Sequence, residues 1–404
     1  MARTKAQLSA GARWADYLTV SYLALRYPIG AIREVLVRQS LESLRRRGLP
    51  HDLLMYFVLT KVLYPRDAYT EVLRLVIGGL RPLLRSEDWS PRTVSKGAIS
   101  QARRRIGVAP FKALYHGQVQ PHGPRERPGV FYRGLRIMAM DGSSLEMPDE
   151  AANEEYYGHP PASHGGMAFP RLRFVALVES GTHTLCYAKP GPYTLDERRL
   201  AFSVMARADA SMLVTADRQF YSYPFWKQAL TTGAKLLFRL SLVLYLPREE
   251  VFSDGSYLST IYPSPIDRKR QRQGIRVRVI EYALKGVPAA ESTKRLITSW
   301  LDPEEAPAHE LAALYHQRGS ITSSFDSFRT LTSCRIGLRS KRPELVEQEF
   351  YALLLVHAAI HHLMAEAAGP TNGAVENLPS LHAVRVLHRR LPAVSAAAPS
   401  GKID

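Results

Sequence analysis

Apolar and polar positions change period along this chain, and each change marks a boundary. Residues 12–88 follow a helical period: Ile32, Val35 and Leu36, then Leu41 and Leu44, recur at three-and-four spacing, and Leu53–Leu63 and Val72–Leu80 repeat the pattern. Arg45-Arg46-Arg47-Gly48 places cations and a glycine where a helix C-terminus favours them. Ser90-Pro91-Arg92-Thr93 predicts a turn that opens a short helix over Val94–Ile106. Pro121–Gly129, with three prolines and two glycines, reads as a linker, and beyond it the period falls to two.

Strands are then expected at Gly134–Met140, Arg173–Glu179 and His183–Ala188, a helix at Leu195–Ala208, a buried strand at Met212–Thr215, a helix at Pro224–Thr232 closed by Gly233, and a strand at Leu236–Leu240. That order is what an RNase H-like mixed sheet produces. Short apolar runs at Leu242–Leu246, Ser256–Ile261, Ile275–Ala283 and Arg295–Ser299, interrupted by the basic Asp267–Gly274 stretch, predict an all-β insertion. Leu345, Phe350, Leu353, Leu354 and Leu363 predict a long helix over 343–366 that covers the sheet. The fold class is therefore α/β: an RNase H-like mixed-sheet core with an all-β insertion, preceded by a helical N-terminal domain. The expected domains are 1–125, helical, basic and DNA-binding; 126–240, the first part of the core; 241–300, the insertion; 301–368, the helical remainder of the core; and 369–404, a partly ordered tail.

Composition sharpens the picture in two places. Cys186 and Cys334 are too few for a disulfide framework, no CxxC pair offers a zinc site, and no run of about 18 apolar residues offers a membrane helix. No charged-then-apolar leader opens the chain, so a reduced, soluble, cytoplasmic protein is expected. Charge is less ordinary. The net charge is +17, and residues 1–130 hold 22 basic against 9 acidic side chains, so most of the excess lies in the first third. A basic domain joined to a near-neutral one points to nucleic acid. The helix bearing Arg103, Arg104 and Arg105 would contact DNA in or across a groove; the competing reading is a solvated basic face.

Two acids stand out. Asp141 closes an apolar strand and Asp217 closes another. Carboxylates from neighbouring strand ends can hold divalent ions of the kind needed for in-line displacement at a phosphodiester, although a strand-end Asp taken alone is more often a turn or helix cap than a ligand. His357 and His361 have the i, i+4 spacing of a zinc pair but no third ligand, and read as packed helix.

Tyr315, Arg318, Thr322 and Arg329 have the spacing of a known signature. The run resembles the Tyr–Arg–Glu–Lys motif of the insertion-sequence-4 family of bacterial DDE transposases. Ala139-Met140-Asp141-Gly142-Ser143 resembles that family's first catalytic block, and Val214 to Tyr221 its second. The resemblance implies magnesium-dependent cleavage at transposon ends and strand transfer into target DNA. It implies Asp141 and Asp217 as catalytic ligands of a two-Mg2+ site, and Tyr315, Arg318 and Arg329 as DNA-binding residues. It further implies double-stranded DNA, both transposon ends and target, as partner, a homodimer on DNA, and a nucleoid-associated location. The chain departs from the motif at its acid: Thr322 stands where Glu belongs, and Arg329 replaces Lys. A threonine hydroxyl is neutral and has one oxygen, so catalytic impairment is expected. The alternative is a non-catalytic DNA-binding protein, decayed or domesticated. Asp326 lies about 6 Å further along a helix axis at ~1.5 Å per residue, a poor replacement for the missing acid.

Overall fold

Consecutive residues on three adjacent strands send their side chains to opposite faces of one sheet, and both faces are buried. Ile137, Leu213 and Leu237 enter one apolar cluster with Ile280, Leu296, Trp300, Leu311 and Leu314. Met138, Val214 and Phe238, each one residue on, enter another with Leu200, Val204, Phe225 and Trp226. Burial on both sides explains why these strands read as near-continuous apolar runs. The computed structural model describes residues 14–42, 49–80, 94–161, 168–283, 293–318, 325, 328 and 337–368. The expected helix end at Arg45–Gly48, the turn at Ser90–Thr93, the positions Thr322, Asp326 and Arg329, Cys334 and the tail lie outside the described residues.

The chain divides into two compact units, one of Met1–Val119, Ser327–Met364 and Leu378–Asp404, the other of Gln120–Asp326 and Ala365–Asn377. The first is helical: α1 (Trp14–Arg26), α2 (Ile29–Arg38), α3 (His51–Leu63), α4 (Tyr69–Leu80), α5 (Lys96–Ile106) and α6 (Ala109–Gln118), joined by the Pro343–Ala368 helix through Met364. Leu53 through Thr60 of α3 are all buried, so this helix is surrounded rather than amphipathic. Ser95 caps α5, its hydroxyl accepting from the Ala98 amide at 3.2 Å, and Gly107 ends it at φ 68°, the left-handed conformation that favours glycine. The long helix, expected to cover the sheet, is bonded instead into this helical unit: Tyr27 and Tyr22 donate to the carbonyls of Leu355 and Ala359 at 2.6 and 3.1 Å. Helical periodicity shows that such a helix is apolar on several sides but not which surface receives it.

The second unit holds β1 (Phe131–Tyr132), β2 (Leu135–Glu146), α7 (Ala151–Tyr157), β3 (Arg171–Glu179), β4 (Thr184–Pro192), α8 (Glu197–Met205), β5 (Met212–Ala216), α9 (Tyr223–Leu230), β6 (Lys235–Leu240), β7 (Glu250–Val251), β8 (Tyr257–Ile261), α10 (Pro265–Lys269), β9 (Ile275–Ala283), β10 (Thr293–Thr298) and the Ala308–Gln317 helix. Among the described residues the strands form one ten-stranded sheet in the order β4-β3-β2-β5-β6-β10-β9-β8-β7, with β1 beside β2. Only the β2–β5 and β5–β6 pairs are parallel. The first five strands of that order give the RNase H-like mixed sheet.

Three expectations change here. The segment 241–300 does not stand apart as a β unit: Arg295–Thr298 of β10 pairs antiparallel with Leu237–Leu240 of β6, so it continues the core sheet and closes an edge that would otherwise leave backbone groups unpaired. Leu242–Leu246 is not a strand; Val243 is 90% exposed, and the Leu244 amide donates to the Ser241 carbonyl in a turn. The run after Gln120 is no loose linker, because the His122 and Gly123 amides donate to the fully buried Glu179 carboxylate, which also pairs with Arg136. No helix among the described residues is long and apolar enough to cross a membrane.

Candidate active site

Parallel pairing of β2 with β5 ends at Met140 opposite Ala216, so Asp141 and Asp217 are the next residues on two neighbouring strands. Asp141 does not terminate its strand, as the sequence leads one to expect. β2 runs on to Glu146 because β3 continues to pair with it, Asp141 opposite Ala176 and Glu146 opposite Arg171. Asp141 therefore stands where one neighbour leaves and the other stays. Strand alternation turns it to the face of Ile137, the face covered by the Ala308–Gln317 helix through Leu311, Leu314 and Tyr315.

That helix anchors both strand ends. The Tyr315 hydroxyl donates to the Ala216 carbonyl at 3.3 Å, immediately before Asp217. Arg318 Nη2 donates to the Met140 carbonyl at 2.8 Å, immediately before Asp141, and lies 3.4 Å from Asp141 Oδ1. The Arg318 guanidinium also lies 5.9 Å from the Tyr315 ring centre. Tyr315 is 9% exposed, and burial pushes its phenol above the usual range, so its place is within the packing of the sheet. Among the described residues the buried Arg318 Nε has no hydrogen-bond partner, leaving a donor beside Asp141.

The acids differ in their surroundings. Burial raises the Asp141 carboxyl above the usual carboxylate range; Arg318 and the Gly142 amide oppose this, and the charge of Asp217 adds to it. Asp217 caps the 3-10 turn Arg218–Phe220, Oδ1 accepting from the Arg218 amide at 2.7 Å, and Arg239 of β6 stands 3.8 Å away. A third carboxylate lies on the opposite face. Glu197 begins α8, and a methyl group built at Gly142 would sit 2.9 Å from its Cδ, so the carboxylate occupies the space that a side chain at 142 would fill. Burial raises Glu197, Arg173 at 3.7 Å opposes, and the charge of Asp141 adds. Each of the three acids thus has its own arginine.

Glu197, Arg239 and Arg173 are invisible to sequence reasoning, since a Glu after an Asp at a helix start reads as ordinary capping. Gly142 was the available signal: a residue without a side chain beside a candidate ligand leaves room for something else. The structure brings Asp141, Asp217, Tyr315 and Arg318 together. It splits the arginine triplet, with Arg104 and Arg105 exposed and Arg103 buried at 6%. His357 and His361 are buried in the helical unit with rings 4.1 Å apart. Among the described residues no cluster of three or more acidic, histidine or cysteine side chains forms a full metal cage. Asp141 and Asp217 supply hard oxygen donors at adjacent strand ends, and a divalent cation would offset both the burial that raises Asp141 and the charge of Asp217 that adds to it, so the pair fits part of such a site.

A mixed RNase H-like sheet with paired acids where two parallel strands part defines the class. The sequence matches the family described as "Insertion element 4 transposase N-terminal" over residues 18–116 and that described as "Transposase DDE domain" over 132–358, more than half of the chain. The chain belongs to the DDE transposases of the insertion-element-4 type. It is similar to the transposase InsG for insertion sequence element IS4 of Escherichia coli K12, 25% identical over 354 residues, covering 85% of this chain and 76% of that protein. It is also similar to the putative transposase InsZ of the same strain, 30% identical over 196 residues, 48% of this chain and 62% of the other. A solved piggyBac transposase synaptic complex with hairpin DNA superposes at TM-score 0.45 and 12% identity, over 96% of this chain and 83% of that one.

Proposed function

We propose that this transposase binds double-stranded DNA through its basic helical unit, acts on it as a homodimer, and carries a magnesium site at Asp141 and Asp217 that is catalytically impaired because Thr322 replaces the third acid. The observation that carries this reading is the placement of the two aspartates one residue past the last parallel pair, with Tyr315 and Arg318 bonded to the carbonyls just before them. Phe325, three residues beyond Thr322, supports it by packing on Phe174, which lies opposite Ser143 in the β2–β3 ladder.

Asp141 and Asp217 offer the oxygens that hold the ions. Mg2+ held there would supply activation of an attacking hydroxyl and stabilisation of the oxygen leaving phosphorus. Arg318 keeps Asp141 aimed by holding both its backbone neighbour and its carboxylate, and its free Nε has the chemistry to meet a phosphate oxygen. Arg329 offers a second cation for the DNA. Thr322 supplies neither charge nor a second oxygen, so a metal pair held by Asp141 and Asp217 would lack the third carboxylate.

Nicking of duplex DNA taken from the sequences on either side of the gene, with Mg2+, tests the proposal. The protein as it stands should cut little or not at all, while Thr322→Glu should restore cleavage by more than the ~100-fold that an outer-shell partner contributes. Robust cleavage by the unmodified chain that survives Asp326→Asn would overturn the impairment. Cleavage abolished by Asp326→Asn would assign the third acid to Asp326. A Thr322→Glu protein that folds and binds DNA without cutting favours the non-catalytic reading.

A further inference from the structure

The helical unit contains a cleft of about 490 Å3 to which α3, α5 and the segment entering the Pro343–Ala368 helix contribute. Its lining is strongly basic: Lys61, Arg66, Lys96, Arg103, Arg339 and Lys341 face it against two acids, Asp67 and Glu349. Glu349 is engaged with its own chain neighbours, accepting from the Arg339 and Ser340 amides and the Ser340 hydroxyl at 3.0, 2.9 and 2.6 Å.

Arg103 decides what this surface is. A solvated basic face keeps its cations in water, yet Arg103 is 6% exposed. Its guanidinium donates to Gln348 Oε1 at 2.9 Å, the Tyr69 hydroxyl at 3.3 Å and the Ser340 hydroxyl at 3.3 Å, all neutral. Among the described residues no carboxylate pairs with it. A buried charge without a counter-charge is costly, and an anion in the adjoining cleft supplies one. Lys61 adds a second, half-buried cation to the lining. Among the described residues its ammonium donates to the carbonyls of Tyr64, Pro65 and Asp67, at 3.2, 3.0 and 2.6 Å, beside the ring of Tyr69. Burial, and then the nearby Arg339, lower its pKa against the opposing charges of Asp67 and Glu349, so the surroundings of this ammonium are positive on balance. Lys96, at the start of α5, is exposed and adds a mobile point charge.

We propose that this cleft is a binding site for a backbone phosphate of duplex DNA, formed by Arg103, Lys61 and Lys96. The proposal rests on the DNA-binding reading above. It differs from a groove-reading role for the arginine triplet: Arg103 serves from within a pocket, while Arg104 and Arg105 project elsewhere as exposed charges. The hydroxyls of Tyr69 and Ser100 in the same lining give further donors to a tetrahedral oxyanion.

The test compares the full-length wild type with Lys96→Gln, Lys61→Met and, as a charge-matched control for the pyrophosphate readout alone, Arg104→Gln on the same helix outside the cleft. Lys96 makes no hydrogen bond or ion pair among the described residues, so its loss leaves the fold intact. Two readouts are needed: duplex affinity by fluorescence anisotropy across salt concentrations, and the change in Tm on adding inorganic pyrophosphate. Each cleft variant should weaken binding and reduce the slope of log affinity against log salt by about 0.9, the signature of one lost phosphate contact. Pyrophosphate should raise the Tm of the wild type and Arg104→Gln, and raise it less in both cleft variants. Wild-type slopes in both cleft variants would overturn the proposal while leaving DNA binding in place. Cleft-dependent pyrophosphate stabilisation with unchanged DNA slopes would also overturn it, assigning the cleft to a free phosphate compound. If the wild type binds no duplex, the DNA-binding reading fails with it, and pyrophosphate alone then shows whether the cleft takes an anion.

Discussion

Arg318 Nη2 lies 3.4 Å from Oδ1 of Asp141, the residue whose carboxyl is raised by burial. One side chain thus reaches from the helix over the sheet to the acid at the point where β2 and β5 part, and offsets part of the cost of keeping that acid charged. Arg318→Gln should leave the carbonyl contact to Met140 partly replaceable but remove the charge, moving the Asp141 carboxyl further up. Carboxyl-carbon NMR titration of wild type and variant measures this; an unchanged Asp141 titration would show that the contact carries no electrostatic weight.

The sign of the pH dependence at Asp141 follows from its elevation. Below the ordinary carboxylate value, near 3.8, folded and unfolded chains are both protonated and the site costs nothing. As pH rises toward the folded value the unfolded chain ionises first, so the fold loses stability through that window. Asp141→Asn should therefore be more stable than the wild type at neutral pH, with the difference shrinking to nothing below the ordinary value. Thermal unfolding of both proteins from acid to neutral pH checks it, and a variant that is less stable at every pH would reverse the assignment.

Divalent ions should cancel that penalty. Mn2+ should bind the wild type and raise its Tm, with a gain of about 2.7 kcal/mol at a hundred times the dissociation constant. Asp141→Asn should lose the response. Calorimetry on a folded wild type that shows no heat of Mn2+ binding, with or without DNA, would count against a retained site.

The site also depends on the strands inserted before the Ala308–Gln317 helix. Arg278 of β9 is fully buried, pairs with Asp254 at 2.6 Å, and donates to Ser256 and the Ala306 carbonyl. Asp254 also accepts from the Ala308 amide at 2.9 Å, capping the helix that presents Tyr315 and Arg318. Asp254→Ala leaves a buried cation without its carboxylate and an amide uncapped, and should cost about 3–5 kcal/mol in urea unfolding. Arg278→Met with Asp254→Ala should recover a large part of that loss. A single Asp254→Ala variant within 1 kcal/mol of wild type, in a measurement good to about that level, would show the pair to be dispensable.

Gly142→Ala drives a methyl to 2.9 Å from the Glu197 carboxyl carbon. The obstacle is the far end of a movable side chain, so the fold should survive at a cost of about 1–3 kcal/mol. In a Glu197→Ala background the same change should be close to neutral. Equal costs in both backgrounds would mean that Glu197 does not occupy that space.

Much of this protein is written in its local pattern. The end of the Lys96–Ile106 helix at Gly107, strands β3, β5 and β6, and the two strand-associated aspartates follow from periodicity, capping and apolar runs, because these depend on residues close in sequence. The spacing of Tyr315 and Arg318 was legible too, although not their contacts: a motif gives separations, whereas their hydrogen bonds to Ala216 and Met140 span 99 and 178 residues. Only tertiary structure decided that β2 outruns Asp141, since β3 rather than any local signal keeps it paired. The same is true of the inserted strands joining the core sheet, of the long helix bonding into the helical unit, and of Arg103 being buried while its two neighbours are exposed. Each is a choice of partner made across long separations, where burial and hydrogen-bond satisfaction over the whole chain outweigh what any short window of sequence prefers.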